Sequence, residues 1–173
     1  LKAERAEILA LDTSAGGDGI VAKKEFKDIE SLKGRKIALD TTGGADCFWF
    51  QYLLHQKGMT LKDFDVQSMS AGDAGAALVA GKVDAAITWQ PWLSKASNTE
   101  FGYTLMDSKA SPGVIVDTFA MRKDFLKAHP ETKQVIVELC ETSTGTLTDV
   151  KAVGEVVRGT DALLLVDAVS GLC

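Results

Sequence analysis

Short apolar runs, each closed by a cluster of turn-forming residues, recur along the 173-residue chain. "ILALD", Ile8 to Asp12, predicts a strand that leads through the small-residue turn "TSAGGDG" into a second short strand, "IVAKK". "FKDIESLKGRKIALD" predicts a loop with a short helical turn, a break at Gly34 and a strand from Lys36 to Leu39. "TTGGAD" then supplies a turn, and "CFWFQYLLHQKG" a helix with Phe50, Leu53, Leu54 and Lys57 at helical spacing, stopped by Gly58.

The same order repeats with other lengths. "FDVQSMS" predicts a strand, "AGDAGAALVAG" a short helix ended by Gly81, and "VDAAITW" the next strand. "YTLMDS" and "GVIVDTFAMR" are two further strand candidates, and "KDFLKAHPETKQVIVELC" predicts a helix that restarts or kinks at Pro130. Strands separated by helices of this length predict an α/β fold, with a mainly parallel open sheet and helices on both faces. In such a sheet a ligand sits outside the C-terminal ends of the strands.

Three turns lie where that rule puts a site. At Thr41, Thr42, Gly43 and Gly44 the chain leaves a strand and opens a helix, whose free N–H groups suit an anion or a polar ligand atom. Ser70 with "AGD" forms a second such turn, in which Asp73 serves equally as a helix cap or as a ligand contact. Trp89 and Gln90 form the third, and aromatic faces beside one amide suit a small solute that is partly apolar and partly polar. Packing beneath a helix explains a tryptophan here equally well, and Trp92 follows just beyond Pro91.

Composition narrows the classes. The formal net charge is -5, from 24 acidic and 19 basic residues, and the basic stripe that a nucleic-acid partner needs is missing from the sequence. No apolar run reaches the roughly 18 residues of a membrane span, so direct membrane insertion is not expected. "LKAERAEILA" lacks the order of a signal peptide and does not begin with Met, which reads as a mature chain or one cut from something longer. Cys47, Cys140 and Cys173 are widely spaced, form no CxxC and stand far from His55 and His129, so buried free thiols are expected rather than a metal site. Neither GxGxxG, GxxxxGK[ST] nor GxSxG occurs, and no nucleophile–base constellation stands out. The expectation is a protein that is not an enzyme and carries no cofactor.

"SLKGRKIALDTTGGADCFWFQYLLHQKGM", "MSAGDAGAALVAGKVDAAITWQPWLSKA" and "FAMRKDFLKAHPE" resemble, in this order, segments of the periplasmic solute-binding proteins of ABC importers, in the nitrate, sulfonate, taurine and thiamine-precursor group. The resemblance runs from about residue 8 to 133. It implies a periplasmic or extracellular protein that closes two α/β lobes on a small solute and presents it to an ABC transporter permease. Ser14, Gly16 and Asp18 would then be candidate contacts at the cleft-facing end of the first crossover. Thr41, Thr42 and Gly43 would hold an anion or headgroup, Trp89 and Gln90 would form floor or wall, and Asp117 would lie near the return crossover. The chain starts almost at the first crossover, so the resemblance also implies a lobe that is incomplete relative to the two-lobe family.

The last segment, "ELCETSTGTLTDVKAVGEVVRGTDALLLVDAVSGLC", instead resembles a stretch of class V pyridoxal-phosphate aminotransferases, in which the position of Thr142 meets the cofactor and that of Asp167 the pyridine nitrogen. The Schiff-base lysine would lie downstream of this stretch, so no transaminase chemistry is expected. The expected division is a solute-binding-like α/β region at 1–137 and a strand–helix–strand tail at 138–173, packed on the same sheet. Leu163, Leu165 and Val166 are expected in its core. Two functional readings stand beside solute binding: a truncated or chimeric α/β scaffold without retained activity, and a fragment of a pyridoxal-phosphate enzyme.

Overall fold

The computed structural model describes residues 4–131, 133–138, 140–141 and 146–167. Its strands and helices alternate as β1 (Arg5–Thr13), β2 (Asp18–Lys23), β3 (Lys36–Leu39), α1 (Ala45–Gln56), β4 (Asp65–Ser68), α2 (Ala71–Val79), β5 (Ala85–Trp89), α3 (Trp92–Ser97) and β6 (Gly102–Asp107). There follow β7 (Val116–Arg122), α4 (Lys123–Ala128), β8 (Lys133–Glu138), β9 (Cys140–Glu141), β10 (Thr146–Leu147), α5 (Val150–Val157) and β11 (Ala162–Asp167). The chain divides into two compact units, one of Asp12–Asp117 and one of Leu1–Leu11 with Thr118–Cys173.

The unit of Asp12–Asp117 is built on a five-stranded sheet in the order β4-β3-β5-β2-β6. β3 runs parallel to β4 and to β5, while β2 runs antiparallel to β5 and to β6. Four strands therefore point one way and β2 the other, giving an α/β fold with a mixed sheet. The apolar runs are continuous because both faces are covered. Ile20, Ala22, Ile37, Leu39, Ala85 and Ile87 meet Trp49, Phe50, Leu53 and Leu54 of α1 in one core. Their strand neighbours Val21, Ala38 and Ala86 point to the opposite face and meet Ala74 and Leu78 of α2 with Leu93 and Ala96 of α3. Helices on both faces follow from that alternation.

Two local features tie this unit together. The indole N–H of Trp49 donates to Ser111 Oγ at 2.5 Å, which anchors the buried face of α1 to the loop after β6. The ring of Trp92 lies against Gly72 of α2 and its Cβ and backbone against Gly75, where an added Cβ would come within 2.9 Å of the tryptophan's own Cβ. The glycines of "AGDAG" are therefore the floor on which Trp92 rests, and the Lys95 ammonium covers that ring at 4.3 Å from its centroid.

In the other unit β8 and β11 pair in parallel from Lys133↔Ala162 to Glu138↔Asp167, with α5 between them in sequence and Gly154 of that helix facing Leu164. β1, which pairs with β7, and β9, which pairs antiparallel with β10, complete its strands. The helix expected across "KDFLKAHPETKQVIVELC" is corrected here: α4 stops at Ala128, and Lys133–Glu138 is a strand. Pro130 removes the amide that a helix would need, and the β-branched run Val135, Ile136, Val137 favours the extended chain. Of the tail residues expected in a core, Leu165 is half-buried, but Leu163 and Val166 are exposed, because a two-stranded sheet with one helix covers only part of its surface.

Candidate functional site

Strand polarity decides which residues meet. β3, β4 and β5 run the same way, so the residues after them, Asp40–Gly44, Met69–Ser70 and Gln90, all emerge at one end of the sheet. β2 runs against them and begins at this end, where Asp18 is the cross-strand partner of Trp89. β6 ends there too, with Asp107 opposite Gly19. Thr42, Ser70 and Trp89 thus share the edge that an α/β sheet offers to ligands.

The first group of polar residues forms a connected chain. The Gly16 amide donates to Ser108 Oγ at 2.7 Å, and Ser108 Oγ lies 2.8 Å from Ser14 Oγ. Ser14 in turn donates its hydroxyl to Asp18, so the Ser108 proton is directed to Ser14. Gly16 has φ +104°, and a Cβ there would strike the Lys109 side chain at 2.8 Å, so the close approach of this turn requires glycine.

At the α1 turn, Gly43 takes φ +106° and Gly44 is the N-cap without any side-chain cap. Thr42 donates its amide and its hydroxyl to Asp40 Oδ1, at 2.9 and 2.6 Å, while Thr41 Oγ1 sits 2.5 Å from Ser68 Oγ. The bonds from Thr42 hold the Asp40 carboxyl below the usual range. At α2, by contrast, Ser70 accepts from the Asp73 amide and donates to its carboxylate, so Asp73 serves the helix end itself.

Trp89 ends β5 and is 44% exposed, whereas Trp92 turns onto α2; the two tryptophans around Pro91 have separate roles. The Gln90 amide donates to the Gly17 carbonyl at 2.8 Å, and its side-chain oxygen accepts from the Ser94 amide at 3.3 Å, so Gln90 joins the site through its backbone while its side chain serves α3. Asp117 stands exposed on β7 and shares no hydrogen bond or ion pair with the others among the described residues. Ser14, whose amide donates to the Ile115 carbonyl at 3.0 Å, is the nearest link between that stretch and the edge.

Two residues of this edge escaped the sequence reading. Ser108 looks like a residue after a strand, and Asp46 like an ordinary first-turn helix acid. Asp46 is instead 1% exposed, and neither of its carboxyl oxygens meets a hydrogen-bond donor among the described residues. Burial, the neighbouring Asp18 charge, a hydrogen bond that the protonated form makes to Asp18, and Asp40 together push the Asp46 carboxyl up to about 8. No group of three or more His, Cys, Asp and Glu able to hold a metal occurs among the described residues, and none of their helices is long and apolar enough to cross a membrane. Of the two positions singled out by the aminotransferase resemblance, Thr142 lies outside the described residues and Asp167 ends β11.

The fold of this chain is similar to several solved structures. It superposes on a periplasmic sulfonate-binding protein, SsuA, of Methylobacillus flagellatus KT with a TM-score of 0.60 at 29% identity, over 70% of this chain and 38% of that one. For the periplasmic aliphatic sulphonate binding protein SsuA of Escherichia coli the TM-score is 0.65 at 21% identity, over 75% and 44%. The periplasmic nitrate-binding protein NrtA of Synechocystis PCC 6803 gives 0.52 at 21%, over 73% and 36%. Among curated relatives, proteins of Brucella abortus and Brucella suis named as candidate binding proteins are 24% identical over 148 residues, 79% of this chain. The chain spans 44% of the length of these relatives. Residues 4–157 match the profile of the NMT1-like family, a stretch that continues through α5 and so corrects the expected end of the resemblance near residue 133. By that match over most of its length, the chain belongs to the NMT1-like family.

Proposed function

We propose that this chain is the solute-holding part of a non-catalytic binding protein for ABC import, with the unit of Asp12–Asp117 carrying the contacts. The observation that carries the reading is the gathering of Asp18, Thr41, Thr42, Gly43 and Trp89 at the ligand-accepting end of one sheet. In this reading Trp89 offers a ring face, Ser14, Gly16 and Asp18 a polar rim ordered by Ser108, and Asp117 a contact near the return of the chain along β7. The Gln90 backbone holds the rim to the wall by its bond to Gly17.

The solute classes that the relatives' names support are sulfonates and nitrate, and the wider resemblance adds taurine and thiamine precursors. The intact protein would work outside the cytoplasmic membrane, in the periplasm or extracellularly, and hand its solute to a permease. Residues 1–137 would carry the solute-binding region and 138–173 a supporting tail. Isothermal calorimetry of the chain against methanesulfonate, nitrate, taurine and benzamidine tests the reading. Binding of any one, weakened by Trp89→Ala, supports it; no heat from any of them favours the scaffold reading.

A further inference from the structure

The edge proposed to hold the solute is acidic in a way that its first reading, as an anion-holding turn, does not explain. Asp18, Asp40, Asp46 and Asp107 all lie there, and among the described residues no salt bridge joins a cation to any of the four. Lys109 is a cation beside Gly16. Two donors of the Thr41–Gly44 turn, the amide and the hydroxyl of Thr42, are directed to Asp40. The positive end of α1 already carries its own acid, Asp46, in the first turn. An incoming sulfonate would meet carboxyls on both sides.

Asp46 adds a second, independent observation. Its carboxyl is buried, neither oxygen meets a donor among the described residues, and its neighbour is Asp18, which accepts the Ser14 hydroxyl. Buried carboxyl oxygens without a donor cost free energy, and a proton on the Asp46 carboxyl offsets part of it. A positively charged donor offsets more. Asp18 is the less buried of the two, at 9% exposure, and its cross-strand partner is the exposed ring of Trp89. A carboxylate beside an open indole face is a pair of contacts that suits an organic cation.

We propose that Asp18 and Asp46 form the selective element of this site, and that it takes a small planar solute bearing a protonated nitrogen group, such as an amidinium, in preference to an anion. The inference rests on the solute-binding reading and narrows it. Asp18 makes the direct contact, Trp89 covers the planar group, and Asp46 is a positioning residue behind the Asp18 carboxyl. Asp18, from β2, and Asp40, from the loop before α1, are the charged groups that act on Asp46.

The test is calorimetry at pH 7 on the full chain with benzamidine, methanesulfonate and nitrate, repeated with Asp18→Asn and Asp46→Asn. Benzamidine is expected to bind, and Asp18→Asn to weaken it at least tenfold. Asp46→Asn should lower its affinity less and flatten the dependence of affinity on pH between 6 and 9. Binding of the anions without benzamidine overturns this inference and leaves the solute-binding reading standing; no heat from any of the three probes overturns the cation preference and counts against solute binding as well. Benzamidine affinity unchanged in both variants also overturns it. Carbon-13 spectra of the aspartate carboxyls in the unaltered chain provide a measurement that does not depend on the variants folding. Benzamidine should move the Asp18 and Asp46 signals, and unmoved signals at saturation overturn the assignment.

Discussion

Asp18 at the start of β2 and Trp89 at the end of β5 are cross-strand partners, the first buried and the second with its ring open to solvent. Their pairing follows from a single reversed strand. β2 enters the sheet where the parallel strands leave it, so a residue preceded by the Ser14–Gly17 turn lands beside the tip of β5. In the proposed site each supplies what the other lacks, Asp18 the charge and Trp89 the apolar wall.

Trp89→Ala is expected to weaken benzamidine binding by about 1–3 kcal/mol, the range for losing an aromatic anchor. Asp65→Ala is the control, since Asp65 opens β4 in an exposed position and its side chain accepts from Gln67 at 2.7 Å. Calorimetry should show the loss in the first variant alone; equal losses would remove Trp89 from the site.

The Asp46 carboxyl also makes stability depend on pH. Its folded value, about 8, lies above the ordinary 3.8, so the folded chain binds the extra proton between these limits. The contribution is fully present below about pH 4 and is lost as the pH rises toward 8. The melting temperature of the Asp12–Asp117 unit should therefore fall between pH 5 and pH 8. Asp46→Asn keeps a donor toward Asp18 and should flatten that slope, which thermal scans followed by circular dichroism would read.

Gly75→Val should destabilise the same unit by about 1–3 kcal/mol, the usual range for overpacking a close contact. Its Cβ would lie 2.9 Å from the Trp92 Cβ, and that ring has the α2 backbone beneath it. Urea titration followed by tryptophan fluorescence is the measurement; an unchanged midpoint would mean that Trp92 moves aside freely.

Lys23 and Asp84 form a half-buried pair at 2.6 Å, and the Lys36 amide also donates to the Asp84 carboxylate at 3.2 Å. Burial alone would raise the Asp84 carboxyl, but these bonds outweigh it and hold it below the usual range. This stabilisation is present above the ordinary carboxylate range and lost as the pH falls through the depressed value. Asp84→Asn should cost about 1 kcal/mol at neutral pH, and the difference should shrink in acid, as paired urea titrations at pH 7 and pH 3 would show.

The strand–turn–helix repeat of the Asp12–Asp117 unit was legible in the sequence because its strands are buried on both faces and its helices end on Gly58 and Gly81, each at φ near +70°. Apolar runs and turn residues are local signals, and they determined the α/β class, the parallel run of β3, β4 and β5, and the common edge of Thr42, Ser70 and Trp89. The reversal of β2 was not legible, since an apolar strand reads the same in either direction. The strand at Lys133–Glu138 also escaped, because its pairing partner lies nearly thirty residues away and a short apolar run after Pro130 fits a helix as well. Burial of Asp46, its approach to Asp18 and the link from Gly16 through Ser108 to Ser14 were decided by tertiary structure alone. A carboxyl at the start of a helix is ordinary in sequence, and only the packing of α1 against the β2 side of the sheet deprives it of water and sets it beside a second acid.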